Sequence, residues 1–331
     1  MNKNQNTVDV SKTMYAAKAL AILFVVTAHM NMKALNPVAL AVKGRLGAMG
    51  VPVFLIISAY YFKPEKYSRI RDFMKRKVIS IILPWLFWGS VVYSLALWRG
   101  NGYSFFSHMN FLLGNGSYLY YMNVLMICYL CFFYPAKNHW RHVITCLCAV
   151  SVFSCFLTLT GILKPVIIML GITDYLNPFN WFVFFSLGLK LKHTSMEKLL
   201  EKRRWILPFT MVIWCILFVV GFYVETDGYG YFSKLGILME LLSTVAVLCI
   251  SSFGRIQSKI MVGVGKLSFS IYLIHFLVIP VIEKYVNLPG TFMLISPIIT
   301  LTICIVIIKV GDRFSKTLGI QRFYTILIGE R

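Results

Sequence analysis

The chain has 331 residues, of which 58% are hydrophobic and only 14% are charged. An average soluble domain carries about 25% charged residues, so this composition excludes an ordinary water-soluble fold and indicates a membrane protein. A net charge of +21 would favour nucleic acid as the partner of a soluble protein. Here Lys and Arg occur in short segments between apolar runs, so we expect contact with membrane lipid and not with nucleic acid.

The apolar runs predict an all-α, polytopic transmembrane helical bundle of about ten spans, because they reach spanning length and lack the alternation of barrel strands. The expected first span is at about 16–32, the last at about 291–309, and a basic cytoplasmic tail follows at 310–331. All of 1–331 is expected to be one transmembrane domain. In chain order the spans are predicted at about 16–32, 47–62, 78–98, 118–135, 143–163, 179–191, 205–223, 235–252, 267–286 and 291–309.

The distribution of basic residues predicts the orientation of these spans. With the N-terminus inside, 26 of the 33 Lys and Arg residues fall in inner segments and 7 in outer loops. Cytoplasmic loops carry the excess of Lys and Arg, so both ends of the chain are expected in the cytoplasm.

The eight cysteines all lie inside apolar runs, and this placement argues against a disulfide framework. Cys128 and Cys131 have CxxC spacing, but no second ligand pair follows them. We therefore expect no metal site and no permanently bound cofactor.

His29 and Lys18 are the ionisable residues of the first predicted span. An imidazole within a span is costly unless it faces protein or water, so His29 is a functional candidate, with a hydrogen-bonded packing histidine as the alternative. Lys18 and His29 are eleven residues apart, and at about 100° of rotation per residue they lie within about 20° of each other around the helix, so they share one face. At a rise of about 1.5 Å per residue, they are about 16 Å apart along the helix axis. The alternative for Lys18 is a snorkelling lysine at a helix end.

The K-x10-H spacing of Lys18 and His29 resembles the R/K-x10-H signature of the acyltransferase-3 family of integral-membrane enzymes. Four further blocks, in the family's order, resemble it as well: GVPVFLIISAYYF from Gly50, KRKVISIILPWLFW from Lys75, SYLYYMNVLMICYL from Ser117 and GKLSFSIYLIHFLVIP from Gly265. The chain departs from the family pattern at Ala59, where glycine is usual, at Ser80, where a basic residue is usual, and at Tyr120, where tryptophan is common.

The resemblance implies a membrane O-acyltransferase, expected to be an O-acetyltransferase of the bacterial inner membrane. The donor would be cytoplasmic acetyl-CoA or another acyl-CoA, and the acceptor a sugar of an O-antigen, exopolysaccharide or lipid-linked precursor. A sugar hydroxyl is a weak nucleophile at neutral pH, so His29 is expected to act as general base. The cations expected to hold the donor's phosphates are Lys18, Arg69, Arg71, Arg76 and Lys77. The alternative for the segment with Arg69, Arg71, Arg76 and Lys77 is an ordinary positive-inside loop that contacts anionic lipid.

Three residues are candidates of second rank. The family-like blocks place Ser58 in the second span and His275 in the ninth, where helix-to-helix hydrogen bonding is the alternative role. Glu240 lies inside an apolar run and is expected either to orient His29, to pair with a lysine or to serve packing.

The competing function is a transporter or flippase for polysaccharide or lipid-linked sugar, and a weaker one is acyl transfer to an amino acid or amine. The sequence leaves the acceptor, the acyl group and the oligomeric state open.

Overall fold

A computed structural model of the chain describes residues 8–31, 37–97, 103–193, 196–224, 230–286 and 295–329. These residues form sixteen α-helices and no strands. The helices are α1 (Val10–His29), α2 (Pro37–Ala48), α3 (Gly50–Tyr60), α4 (Ile70–Lys77), α5 (Leu83–Leu97), α6 (Phe105–Leu112), α7 (Tyr120–Lys137), α8 (Arg141–Leu159), α9 (Lys164–Met169), α10 (Phe182–His193), α11 (Met196–Glu201), α12 (Arg203–Val224), α13 (Gly236–Ser251), α14 (Lys259–Tyr285), α15 (Ser296–Thr317) and α16 (Gln321–Leu327).

Six helical stretches in the described part of the chain are long and apolar enough to cross a membrane. They are Val10–His29, Pro37–Tyr60, Ile70–Leu95, Arg141–Leu159, Arg203–Val224 and Lys259–Tyr285. The other four predicted spans coincide with α7, α10, α13 and α15, which are shorter or more polar. For example, α7 contains four tyrosines and ends at Lys137, and α10 has only 12 residues. The all-helical class of the bundle is thus confirmed, with six candidate spans against the predicted ten.

The first two helical stretches begin earlier than predicted. α1 begins at Val10 because the Asp9 side chain accepts a hydrogen bond from the Lys12 N–H at 2.9 Å and caps the helix. This bond also holds the pKa of the Asp9 carboxyl below its ordinary value. α1 ends at His29, so His29 is its last residue and not a residue deep within a span, and Lys18 lies in its third turn.

The second stretch begins at Pro37, ten residues before the predicted start at 47, because the segment between the first two predicted spans, which carries Lys43 and Arg45, is helical. Both residues lie on α2, and Arg45 is only 1% exposed. Proline suits the first turn of a helix, where its missing N–H is not needed.

The basic segment that precedes the third predicted span is also helical and not a loop. Arg69 precedes α4, whereas Arg71, Arg76 and Lys77 lie on it. A π-helical segment, Val78–Ile82, joins α4 to α5, so the basic helix continues into the third candidate span.

The segment predicted as a basic tail folds back onto its own unit. α15 runs to Thr317, beyond the predicted end at 309, and residues 291–294 of the predicted last span lie outside the described residues. After α16, the carbonyl of Leu327 accepts a hydrogen bond from the Trp88 ring N–H at 2.9 Å, and the Ile328 carbonyl accepts one from Ser270 at 2.7 Å. These bonds make the C-terminal segment part of the fold.

The chain divides into two compact units, of which the first comprises residues 1–61, 187–268 and 282–299. Its centre is the pairing of α1 with α2 and α3, which small residues bring close together. A Cβ added at Gly47 would stand 2.8 Å from the Ala28 Cα, and one at Gly50 would stand 2.7 Å from the Ala21 carbonyl oxygen. α13 also packs against α1, so the helix that carries Lys18 and His29 is held on two sides.

The second unit comprises residues 62–186, 269–281 and 300–331. Its core is an aromatic cluster, in which the Phe62 ring lies 5.3 Å from Phe73, 5.2 Å from Tyr129 and 5.8 Å from Phe185. Buried Asn180 satisfies its amide within the same unit, since its side-chain oxygen accepts a hydrogen bond from Ser154 at 2.7 Å. The eight cysteines all lie among the described residues, and none of them forms a disulfide.

Gly265 supplies a direct test of the packing of α14 against α1. A Cβ at this position would overlap the carbonyl of Tyr15, whereas one at Gly263, two residues earlier on the same helix, would meet nothing within 4 Å. We expect Gly265→Ala to cost about 1–3 kcal/mol of stability through overpacking, and Gly263→Ala to be neutral or slightly stabilising because alanine favours helix. Thermal unfolding of the two detergent-purified variants checks this, and equal melting temperatures would contradict the close approach.

Candidate active site

His29 stands at the C-terminal end of α1, where other charged residues of the first unit surround it. Lys43 on α2 interacts electrostatically with His29, and Glu283 on α14 interacts in turn with Lys43. Glu283 also accepts a hydrogen bond from the Asn31 backbone N–H at 2.6 Å, which ties the backbone just after His29 to α14. The partly exposed imidazole is therefore positioned between a cation and an anchored segment.

Lys18 lies in the third turn of α1, eleven residues before His29, among aromatic rings. Its Nζ is 5.6 Å from the centre of the Tyr15 ring and 5.7 Å from that of Tyr61. Lys266 on α14 approaches the same Tyr15 ring, at 5.7 Å. The prediction of a snorkelling helix-end lysine fits poorly, because Lys18 is in the third turn of α1 and its head group contacts protein rings.

Glu240 is fully buried on α13, in the same unit. Neither of its carboxylate oxygens has a hydrogen-bond partner among the described residues. Arg45 on α2 interacts with it electrostatically, although the two side chains share no hydrogen bond. The Arg45 guanidinium donates a hydrogen bond to the Ser233 hydroxyl at 2.7 Å. Arg45 thus connects α2 with the segment that precedes α13 through this hydrogen bond, and with α13 through its electrostatic interaction with Glu240. The expectation that Glu240 orients His29, pairs with a lysine or serves packing stays a prediction.

Ser58 lies near the end of α3 and is partly exposed. Its neighbour Ala59 is fully buried, and a Cβ added at Gly188 on α10 would stand only 2.7 Å from the Ala59 side chain. Ala59, which departs from the family's usual glycine, is therefore a small residue at a close helix contact.

The four basic residues around α4 belong to the second unit and have different surroundings. Arg69 and Arg71 are exposed to solvent. Arg76 lies over the Tyr67 ring at 5.5 Å, and the Lys77 Nζ lies 4.4 Å from the centre of the Tyr129 ring. Lys77 is thus drawn into the aromatic cluster, while the exposed arginines remain available to an anion.

His275 is also in the second unit and is fully buried on α14. Its Nδ1 donates a hydrogen bond to the Tyr272 carbonyl at 2.7 Å, and its ring meets Tyr118 edge to face at 5.1 Å. The Tyr118 hydroxyl in turn donates to the Leu273 carbonyl at 3.1 Å. The hydrogen bond to Tyr272 lies within α14, so the expected helix-to-helix hydrogen bond of His275 stays a prediction.

Sequence reasoning missed four residues of the first unit that the structure places beside its candidates: Lys43, Arg45, Lys266 and Glu283. Lys43 and Arg45 had been counted as outer-loop charges. Lys266 stood inside one of the quoted blocks, at a position next to a glycine within an apolar helix. A charge within an apolar helix is the signal that could have identified these residues.

The family model of an acyltransferase domain, that of the acyltransferase-3 family, matches residues 14–310 of the chain. No curated protein and no solved structure matches the chain. The matched range contains the helix with Lys18 and His29, the basic helix α4 and the whole of α14. With its six candidate spans, the chain is a multi-pass membrane protein that belongs to the acyltransferase-3 family.

Proposed function

We propose that this membrane acyltransferase moves an acetyl group from cytoplasmic acetyl-CoA to a hydroxyl of a cell-surface polysaccharide or lipid-linked sugar. The supporting observation is the arrangement along α1, with aromatic rings and a second lysine around Lys18 in its third turn and with His29, which interacts with Lys43, at its C-terminal end. In this proposal the protein lies in the bacterial inner membrane as one acyltransferase domain, crosses the membrane about ten times and has both termini in the cytoplasm.

His29 acts in this proposal as the general base. It accepts the proton of the acceptor hydroxyl as the hydroxyl oxygen attacks the thioester carbonyl. The new C–O bond forms, the C–S bond breaks, and the CoA thiolate leaves and takes up a proton to give free CoA. The Lys43 ammonium, which interacts with His29, is suited to stabilise the oxyanion of the tetrahedral intermediate.

The donor is held by cations on the inner side. In the first unit Lys18 is the cation proposed to bind the donor's phosphates. In the second unit the exposed Arg69 and Arg71 are proposed to bind phosphate, with charge added by Arg76 and Lys77 from beside aromatic rings. Ser58, Glu240 and His275 serve helix packing and the positioning of these groups.

The reaction is tested with purified protein in lipid nanodiscs, supplied with acetyl-CoA that carries a labelled acetyl group and with glycan extracted from cells that lack the protein. We expect label in alkali-labile ester on the glycan and release of one free CoA thiol for each ester formed. Absence of label, together with movement of lipid-linked sugar across vesicles that contain the protein, would establish the flippase alternative instead.

A further inference from the structure

Three aromatic rings of the second unit meet where α7 begins. The ring of Tyr120, the first residue of α7, lies 5.1 Å from the Tyr175 ring and 5.6 Å from the Trp181 ring. Trp181 is buried, and its ring N–H donates a hydrogen bond to the Tyr175 carbonyl at 3.0 Å. Tyr120 is partly exposed and Tyr175 is 37% exposed. These two tyrosine rings, here called the tyrosine corner, are therefore an accessible aromatic surface beside a buried tryptophan.

Backbone hydrogen bonds hold the two segments that carry the tyrosine corner. The side-chain amide of Asn115, in the segment before α7, donates a hydrogen bond to the Gly171 carbonyl at 2.6 Å. The side-chain amide of Asn180 donates to the carbonyl of Asp174, the residue directly before Tyr175, at 3.3 Å. The corner is thus arranged by the polypeptide itself, and a ligand would not have to order it on binding.

A carboxylate with a balancing cation stands next to the tyrosine corner. Asp174 is partly buried, and burial raises the pKa of its carboxyl above the ordinary value, whereas the electrostatic interaction with Lys164 lowers it. A ligand with a full charge of either sign would be attracted by one of these side chains and repelled by the other. An uncharged ligand with hydroxyl groups avoids this repulsion, and its O–H groups can donate hydrogen bonds to the carboxylate.

A sugar ring has the chemistry that this site can recognise. Its face presents C–H groups, which carry a small positive charge and pack against the negative face of an aromatic ring. Its edge presents hydroxyl groups, which can donate to the Asp174 carboxylate. A lipid acyl chain would contact the rings but would take water from the carboxylate without replacing its hydrogen bonds, which is costly. The combination of rings and carboxylate therefore favours a sugar over a lipid chain.

The tyrosine corner and the basic segment around α4 lie at opposite ends of α7. Lys137, the last residue of α7, donates hydrogen bonds to the carbonyls of Tyr67 and Ser68, just before Arg69, at 2.8 Å and 2.7 Å. Tyr120 begins the same helix of 18 residues, whose ends are about 26 Å apart at about 1.5 Å per residue. This length is close to the thickness of the hydrocarbon core of a bilayer, about 30 Å.

We propose that the tyrosine corner and Asp174 bind an uncharged sugar ring of the acceptor glycan. The inference rests on the proposed function, because the ligand is the acceptor of that reaction. With the cations around α4 at the cytoplasmic side, the other end of α7 faces the outside, where a surface glycan is present. Tyr120, Asp174 and Tyr175 are thereby assigned to acceptor binding.

The acceptor site is tested by measuring the affinity of the full-length protein in nanodiscs for labelled glycan extracted from cells that lack the protein. We expect Tyr175→Leu to weaken glycan binding about fivefold through loss of the aromatic contact, whereas Tyr175→Phe retains it. Asp174→Asn is expected to weaken glycan binding about tenfold, as for the loss of a hydrogen bond to a charged group.

Tyr103 is a matched control in the same unit, since it is an exposed tyrosine whose ring also has an aromatic neighbour, Tyr93, at 6.4 Å. We expect Tyr103→Leu to bind the glycan as the unaltered protein does. Equal glycan affinity for Tyr175→Leu and Tyr103→Leu, with both proteins folded, would overturn the inference. So would an unaltered protein that has no measurable affinity for the glycan.

Binding and transfer measured together separate the inference from the proposed reaction. Glycan affinity that depends on Tyr175 and Asp174, without any acyl transfer, would support the acceptor site and overturn the reaction. Acetyl transfer with an unchanged acceptor KM in Tyr175→Leu and in Asp174→Asn would support the reaction and overturn the acceptor site.

Discussion

Replacing His29 with alanine is expected to lower the turnover of acyl transfer by about 10²–10⁴-fold, the usual contribution of a general base. The donor KM should change little, because Lys18, the cation of α1 proposed to hold CoA, lies about 16 Å from His29 along the helix. The measurement is labelled acetyl transfer to glycan by the purified variant in nanodiscs, with donor affinity determined in parallel. A kcat effect without a KM effect identifies a group that acts in the transition state.

His142 provides the control for this substitution. It is an exposed histidine in the first turn of α8, so His142→Ala should transfer acetyl at the rate of the unaltered protein. A folded His29→Ala protein that retains more than about a tenth of the normal turnover would be inconsistent with a general base, which contributes at least about 100-fold. The acyl transfer would then depend on another group.

The relation between Lys18 and His29 could be predicted from the sequence because it follows from helix periodicity alone. Both residues lie on α1, as their spacing requires. The first and last residues of α1 could not be predicted with the same accuracy, because they depend on local hydrogen bonds. Asp9 caps the helix, so that it begins at Val10, six residues before the predicted start, and the backbone becomes extended at Met30, just after His29.

The partners of these residues could not be predicted, because they come from distant parts of the sequence. Glu283 is held by the Asn31 N–H, 252 residues away in the chain. Lys43 and Arg45 looked like loop charges, since the positive-inside count treats every cation outside an apolar run as exposed. The structure buries Arg45 beside a carboxylate, and only tertiary packing reveals such a pair.

Loss of the Glu240 carboxylate is expected to have the largest effect on stability. Glu240 and Arg45 are 0% and 1% exposed, and they interact electrostatically. Glu240→Ala removes the carboxyl group that interacts with Arg45 and empties a fully buried site, and loss of a buried side chain of about this size costs about 2–5 kcal/mol. We expect a large drop in the yield and melting temperature of the detergent-solubilised protein, and a similar drop for Arg45→Ala, which also removes the hydrogen bond to Ser233.

Replacing both Arg45 and Glu240 separates the stability lost on removing one partner from the stability that the two partners contribute together. Arg45→Met with Glu240→Met removes both charges and fills the space, and such replacements of buried pairs are often neutral or stabilising, so the double variant should recover most of the lost stability. Asp312 and Lys316, an ion pair at 2.6 Å whose members are 33% and 53% exposed, serve as the control. Asp312→Ala should cost no more than about 1 kcal/mol. If Glu240→Ala were as mild as Asp312→Ala, or if the double variant were as unstable as the single ones, the buried charges would not connect α2 with α13 in the way described.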